Sequence, residues 1–338
     1  MGFDLMNATT STINSLSVLI VGCGNIAGGF DMRRTSGYFP YTHAGAYARD
    51  GRFVIAACIE PDEERREAFM SAWQVSVGFR SIDELSNGDM QFDVISVCSP
   101  TSCHAHDLEI ALRLKPKLIF CEKPITTSFA DSERFVTECD KAGIHLAVNY
   151  TRRWDADILK LRADMSAGLW GQLRSVAGLY NKGLLNNGSH MLDLLHWFVG
   201  PVKIINVGKP VQDFFFSDPT VPFWLESDQG VPVHIACAYA GDYAVFELQL
   251  VFSFGVLTME EGGMFWRERH AVDSDTFKGY RKLEEGVRRP GEYPQAMLQA
   301  VDNIYRAITQ GAPLASSGKS ALAAQRVCEE IKQQTCVI

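Results

Sequence analysis

The feature that most constrains this chain is the alternation in residues 16–149, where short apolar runs follow helix-length stretches and the first run ends on a glycine turn. Apolar runs fall at residues 16–21, 53–59, 92–98, 117–121 and 144–148, with helix-like segments at 61–73, 102–114 and 128–142. Parallel strands cannot be joined by a tight turn and need a crossover, usually a helix, so this pattern predicts a parallel sheet covered by helices on both faces. The 338 residues are enough for roughly two domains at about 150 residues each. We therefore read residues 1–15 as a polar tail and 16–149 as one α/β domain.

Beyond residue 150 the pattern changes. A helix is expected at 155–167, a strand at 173–180 and a helix at 189–198. Runs at 231–240, 243–254 and 256–259 then follow with only Gly-containing turns between them, which predicts antiparallel hairpins. Closing helices at 293–308 and 319–331 flank Gly311-Ala312-Pro313. Residues 150–338 read as a second, α+β domain.

Composition removes several classes of function. Apolar residues make up 46% and charged residues 21%, which is enough apolar material for a large core and too much for disorder. The net charge of -8, with no basic block, argues against nucleic acid as a partner. Nine scattered cysteines with no CxxC pair read as reduced thiols. The first 15 residues lack the cationic start and apolar core of a signal peptide, Met6 breaks a myristoylation pattern, and Cys336 is misplaced for a prenylation box. No apolar run reaches the ~18 residues of a membrane span. The expectation is a soluble, cytoplasmic protein without a membrane partner.

Gly22-Cys23-Gly24-Asn25-Ile26-Ala27 is a G-x-G-x-x-A turn directly after the first strand. Gly22 permits the tight turn, Gly24 lets the backbone approach a pyrophosphate, and Ala27 allows helix to pack on strand. With that turn, the α/β domain reads as a Rossmann dinucleotide-binding domain, with Asn25 and Ile26 at the start of the phosphate-binding helix. Glu60 ends the second apolar run, where a carboxylate accepts from the adenosine ribose hydroxyls and repels a 2'-phosphate, favouring NAD over NADP. It falls later than the usual spacing because Gly28-Gly29 and residues 31–41 form an apparent insertion. The alternative is that Glu60 only caps the next helix.

Three further motifs, Ser99-Pro100-Thr101-Ser102-Cys103-His104, Cys121-Glu122-Lys123-Pro124 and Asn187-Gly188-Ser189-His190-Met191-Leu192-Asp193, give the chain a resemblance to the Gfo/Idh/MocA oxidoreductases. The resemblance covers nearly the whole chain. It implies NAD(P)-dependent chemistry on sugars or cyclitols, a second domain built on an open-faced, mostly antiparallel sheet, and a homodimer or homotetramer formed through that sheet. By the same resemblance, Lys123 and His190 are the catalytic pair. Ser99, Pro100, Thr101, His104 and Glu122 join Lys123 beside the cofactor, and a cis bond often precedes the proline. An ammonium at the carboxyl end of a strand can favour a developing alkoxide, while an imidazole with pKa near 6.5 can take the hydroxyl proton.

One position departs from the family pattern. Asn186 stands where an aspartate is usual, four residues before His190, so it can hydrogen-bond but brings no charge. Asp193, on the same helical face as His190, is a candidate source of that charge, or else a packing carboxylate. Arg153, next to Arg152 and Trp154, is a candidate for a substrate anion or for an interdomain ion pair. Tyr180, Lys182 and Asn187 approach the catalytic helix as candidates for sugar hydroxyls, or as structural residues. The aromatic stretch Phe214–Phe216 with Trp224 reads as core or subunit interface. His104 and His106 point to different helical faces, which argues against a metal site. No nucleophile elbow supports a Ser-His-Asp triad.

The leading reading is an NAD-dependent enzyme acting on a secondary alcohol or ketone of a sugar, free or nucleotide-linked. Alternatives are an NAD-assisted sugar enzyme with no net redox change and a catalytically silent ligand-binding regulator, which Asn186 keeps open. The position of Glu60 predicts that NAD binds at least about tenfold more tightly than NADP. Titration giving equal dissociation constants would refute the ribose assignment.

Overall fold

The computed structural model describes residues 15–34, 37–85 and 90–335; residues 1–14 of the polar tail and Cys336 lie outside the described residues. Strands β1 (Leu16–Val21), β2 (Phe53–Ile59), β3 (Gly78–Phe79), β4 (Val94–Val97), β5 (Leu118–Cys121) and β6 (His145–Val148) form one parallel sheet. Its order is β3-β2-β1-β4-β5-β6. Helices α1 (His43–Asp50), α2 (Glu63–Trp73), α3 (Thr101–Leu114) and α4 (Phe129–Ala142) supply the crossovers. The runs read as strands are apolar because the sheet is covered on both faces, with Leu19, Ile20, Ile95 and Phe120 fully buried. Strand order reverses between β1 and β4, and the crevice at their carboxyl ends is where such sheets take ligands.

The structure corrects the expected helix after the glycine turn. Asn25–Gly29 make a single π-type turn, after which the chain leaves the sheet and returns at α1. The buried carboxylate of Asp31 ties the insertion shut: Oδ2 accepts from Tyr41 N at 2.9 Å, Thr42 N at 2.9 Å and Thr42 Oγ1 at 2.7 Å. Thr42 in turn caps α1 by accepting from Gly45 N.

The second domain contains α5 (Ala156–Ser166), β7 (Leu173–Tyr180), α6 (Ser189–Val199), β8 (Val202–Val207), β9 (Val211–Phe215), β10 (Asp218–Thr220), β11 (Phe223–Ser227) and β12 (Pro232–Cys237). It continues through β13 (Phe246–Phe252), β14 (Gly255–Glu260), β15 (Phe265–Asp273), β16 (Arg281–Leu283), β17 (Val287–Pro290), α7 (Ala296–Gln310) and α8 (Gly318–Thr335). The large sheet runs β16-β15-β14-β13-β7-β12-β11-β8, with β17 also on β15 and the short β9–β10 pair separate. All its pairings are antiparallel except β7 with β12.

The expected hairpin between 231–240 and 243–254 does not form, because β7 lies between β12 and β13 and pairs with both. The β13–β14 hairpin does form, turning at Ser253–Phe254. Strands β8 to β11 and β15 to β17 were not expected from the sequence. Phe214, Phe215, Phe216 and Trp224 are exposed, Phe216 at 95%, so they are not core.

The closing helices return to the first domain and fix its angle to the second. Met297, Ala300, Val301 and Ile304 of α7 share a core with Tyr47 and Phe53. Trp154 Nε1 donates to Asn303 Oδ1 at 2.9 Å, and Ser316 Oγ donates to Val148 O at 2.6 Å. Among the described residues no helix is long and apolar enough to cross a membrane.

Candidate active site

The glycine turn closes the crevice on one side. Gly22 has φ +85°, and a Cβ there would stand 2.7 Å from the Ser99 backbone, so β1 and β4 can approach only through glycine. A Cβ on Gly24 would meet no heavy atom within 4 Å, so its backbone faces open space with room for a pyrophosphate. Glu60, 5% exposed, sits at the rim with Oε2 accepting from Cys23 N at 3.0 Å and Oε1 from Asp62 N at 3.2 Å. The cap of α2 is Asp62, which accepts from Arg65 N. Glu60 thus braces the turn itself, and the open glycine cradle with a carboxylate at its edge fits a dinucleotide.

The opposite wall is built at the end of β5, where Glu122 and Lys123 precede a cis Lys123–Pro124 bond. His104 fastens this loop: Nδ1 lies 3.0 Å from Pro124 O and 3.1 Å from Ile125 O, and Nε2 lies 2.9 Å from Ser99 O. His104 is 1% exposed, so it does not line the cleft as expected; it holds the backbone of residues that do. Ser99 and Thr101 are half-buried and Pro100 exposed at that edge.

Glu122 accepts from Asn149 Nδ2 at 2.6 Å and from His43 Nε2 at 3.0 Å. Burial alone would raise its carboxyl, but His43 and Asn149 hold it below the usual carboxylate range. Neither His43 nor Asn149 was singled out in the sequence, since both are far from Glu122 along the chain.

Lys123 reaches across the domain boundary. Its Nζ donates to Asn186 O and to Asn186 Oδ1, both at 2.8 Å. Asn186 is fixed by its own amide, whose Nδ2 donates to Lys182 O at 2.9 Å. It lies on the π-type turn Gly183–Gly188 that leads into α6, which puts His190 in the first helical turn. The His190 ring is half-buried and meets Tyr150 edge-on at 5.3 Å. Burial pushes its pKa well below the ordinary value, and the charges of Lys123 and Arg152 push it further. Lys123 is itself pushed down to about 8, by burial against the opposing pull of Glu122 and Asp218. The charge of Lys123 therefore acts on the His190 ring.

Asp218 was missed in the sequence. From β10 its Oδ1 accepts from Leu185 N at 2.8 Å and its Oδ2 from Asn186 N at 2.9 Å, so it braces the turn that carries Asn186. Burial raises its pKa, while those backbone N–H groups and Lys123 oppose the shift.

Of the two readings of Arg153, substrate anion or ion pair, the structure forms an ion pair. Arg153 is buried in a bidentate pair with Asp193, Nε to Oδ2 at 2.7 Å and Nη2 to Oδ1 at 2.8 Å, which leaves neither group for substrate or for His190. Arg152 instead donates from Nε to Gly262 O at 2.8 Å and sets its guanidinium over the Phe246 ring at 4.0 Å, and its charge acts on His190. Residues 151–154 form a tight 3₁₀ turn, so neighbours point in different directions and the sequence alone did not tell them apart. Tyr180 is fully buried, donating to Val221 O at 2.7 Å, and so is structural. Asn187 is half-buried on the π-type turn, and Lys182 lies over the Phe214 ring at 5.2 Å.

Residues 16–150 match the oxidoreductase family, NAD-binding Rossmann fold, known as Gfo/Idh/MocA. The D-apiose dehydrogenase of Paraburkholderia graminis is 24% identical over 71% of this chain and 65% of its own length. The myo-inositol 2-dehydrogenase of Thermotoga maritima is 30% identical over 35% of each chain, so the matched part spans less than two thirds of either relative. An Agrobacterium radiobacter oxidoreductase solved with NAD+, L-tartaric acid and magnesium superposes with TM-score 0.76 at 16% identity, over 95% of this chain and 96% of that one, which shows the shared fold. The match to the Gfo/Idh/MocA oxidoreductase family is thus carried by the dinucleotide-binding domain, residues 16–150.

Proposed function

We propose that this protein is an NAD-dependent dehydrogenase or reductase that moves hydride to or from a carbinol carbon of a sugar or sugar derivative. The reading rests on one observation: the Lys123 ammonium, at the end of β5, is clamped across the domain boundary by Asn186, four residues before His190. Likeness to apiose and inositol dehydrogenases supports a polyhydroxylated substrate. Gly22, Gly24, Asn25 and Ile26 would hold the pyrophosphate, Glu60 the adenosine ribose, and Ser99, Pro100, Thr101 and Glu122 the nicotinamide half. Glu60 favours NAD over NADP. When bound, NAD accepts the hydride that leaves the carbinol carbon.

Two of the three Nζ donors of Lys123 are spent on Asn186, so the third is aimed and available to the substrate oxygen. With a pKa near 8 the ammonium is the main form at pH 7, and it lowers the energy of an alkoxide developing on that oxygen. His190 is neutral at that pH because burial, and then the charges of Lys123 and Arg152, disfavour its cation, so a ring nitrogen is free to take the hydroxyl proton. The same cations then press the imidazolium to pass the proton on. Arg152, whose Nη atoms have no hydrogen-bond acceptor among the described residues, is available to a second substrate oxygen.

Lys123→Ala is expected to cut turnover by more than roughly 100-fold while leaving NAD binding intact; near-normal turnover at saturating cofactor would remove the proposed mechanism. Asp218 supports the lysine charge, so Asp218→Asn should lower the pKa of Lys123. Activity that needs the ammonium should then be lost at lower pH, with the alkaline limb of the pH–rate profile moving down by about half a unit or more. An unmoved limb would mean that Asp218 serves only the backbone of the turn.

A further inference from the structure

Between the glycine turn and the second domain lies a cavity of about 600 Å³, and of the residues that line it only Ile26 has a role in the reading above. Its walls include Ile26 at the glycine turn, Phe30, Arg34 and Tyr41 from the insertion, and Met264 and Tyr293 from the second domain. The volume is that of a small-molecule site, and the lining is mainly apolar and aromatic. Phe30 is 58% exposed, so a large apolar face remains in contact with water.

The cavity wall is preorganised, and the one cation in it is already committed. The Arg34 guanidinium lies over the rings of Tyr38 at 4.4 Å and Tyr41 at 4.5 Å. Its Nη1 is tied to Asp31 Oδ1 at 3.3 Å and to Phe39 O at 3.1 Å. Asp31 also holds the far end of the insertion through Tyr41 N and Thr42. The wall therefore offers flat faces without a free positive charge, and suits an uncharged ring better than a phosphate-linked one.

The cavity borders Arg152. Thr151 lines it and adjoins Arg152, and the Tyr293 ring lies under the Arg152 guanidinium at 5.0 Å. Arg152 lies two residues beyond Tyr150, whose ring meets that of His190 at 5.3 Å. A group joined to a sugar held between Lys123 and His190 would extend past Arg152 and Tyr293 into this space.

We infer that this cavity is a subsite for an uncharged, planar apolar group on the substrate, as an aryl aglycone would present; the inference rests on the oxidoreductase reading above. The test measures binding by calorimetry and saturation-transfer NMR on protein saturated with NADH. The ligands are phenyl and methyl glycosides of glucose, galactose, mannose and xylose, with UDP-glucose and phenol alongside. At least one phenyl glycoside should bind about tenfold or more tightly than its methyl counterpart. That advantage should vanish in Phe30→Ala, which alters an exposed side chain, and in Met264→Trp, which fills the cavity, with methyl glycoside affinity unchanged. The inference is overturned if phenyl and methyl glycosides bind equally, if no phenyl compound binds, or if UDP-glucose binds more tightly than any phenyl glycoside and both substitutions weaken it. Absorbance at 340 nm is followed separately with the same compounds and NAD. A phenyl preference in binding with no hydride transfer to or from any of them would keep the subsite and count against the oxidoreductase reading.

Discussion

The site depends on a single contact across the domain boundary, the Lys123 ammonium held by the backbone carbonyl and side-chain amide of Asn186. Lys123 comes from the end of β5 and Asn186 from the turn before α6, so the contact exists only when the two domains hold one relative orientation. That orientation is fixed far from the chemistry. Helix α7 packs against α1, Asn303 takes the Trp154 indole, and Ser316 bonds the carbonyl of Val148 at the end of β6. Gln325 of α8 adds a bond to Thr126 O just beyond the cis-proline loop. The last 40 or so residues act as a strap that brings the lysine and histidine together.

Electrostatics then assigns the protonation states. Lys123 and Arg152 place two cations near His190, and burial denies the ring the solvation its own charge would need. The carboxylates of Glu122 and Asp218 pull the lysine the other way, which keeps its pKa from falling further. Neither carboxylate is loose: Glu122 is bonded by His43 and Asn149, and Asp218 by two backbone N–H groups. In place of the aspartate usual at 186, this chain has a neutral amide that orients the lysine and, nearby, an aspartate from another strand that supplies charge. Orientation and charge are thus divided between two residues.

Much of this was legible in the sequence where the signal is local. The apolar runs gave the parallel sheet, because two-sided burial leaves nothing polar in such strands. The glycine turn was readable from Gly22 and Gly24, and short motifs singled out Lys123 and His190 as candidates. What escaped was set by distant contacts or by direction. Asp218 touches residues more than thirty positions away, and nothing in its own neighbourhood marks it. Arg153 and Arg152 are adjacent in a tight turn, so which one enters the cleft is decided by Asp193 and Gly262. His104 looked like a cleft residue because of its motif, but its ring lies among three carbonyl oxygens. The hairpin expected after residue 231 was lost to β7, which pairs with β12 and β13 from a position fifty residues earlier. Strand pairing of that kind leaves no local trace.

The central claim is that the lysine and the imidazole share one electrostatic environment, and the ionisation of His190 reports on it most directly. Histidine ring nitrogens labelled with ¹⁵N and followed by NMR across pH 5 to 9 would show whether the ring charges. The account predicts that the His190 pKa lies well below the ordinary 6.5 and rises in Lys123→Met. A ring that titrates near 6.5 in both proteins would contradict it.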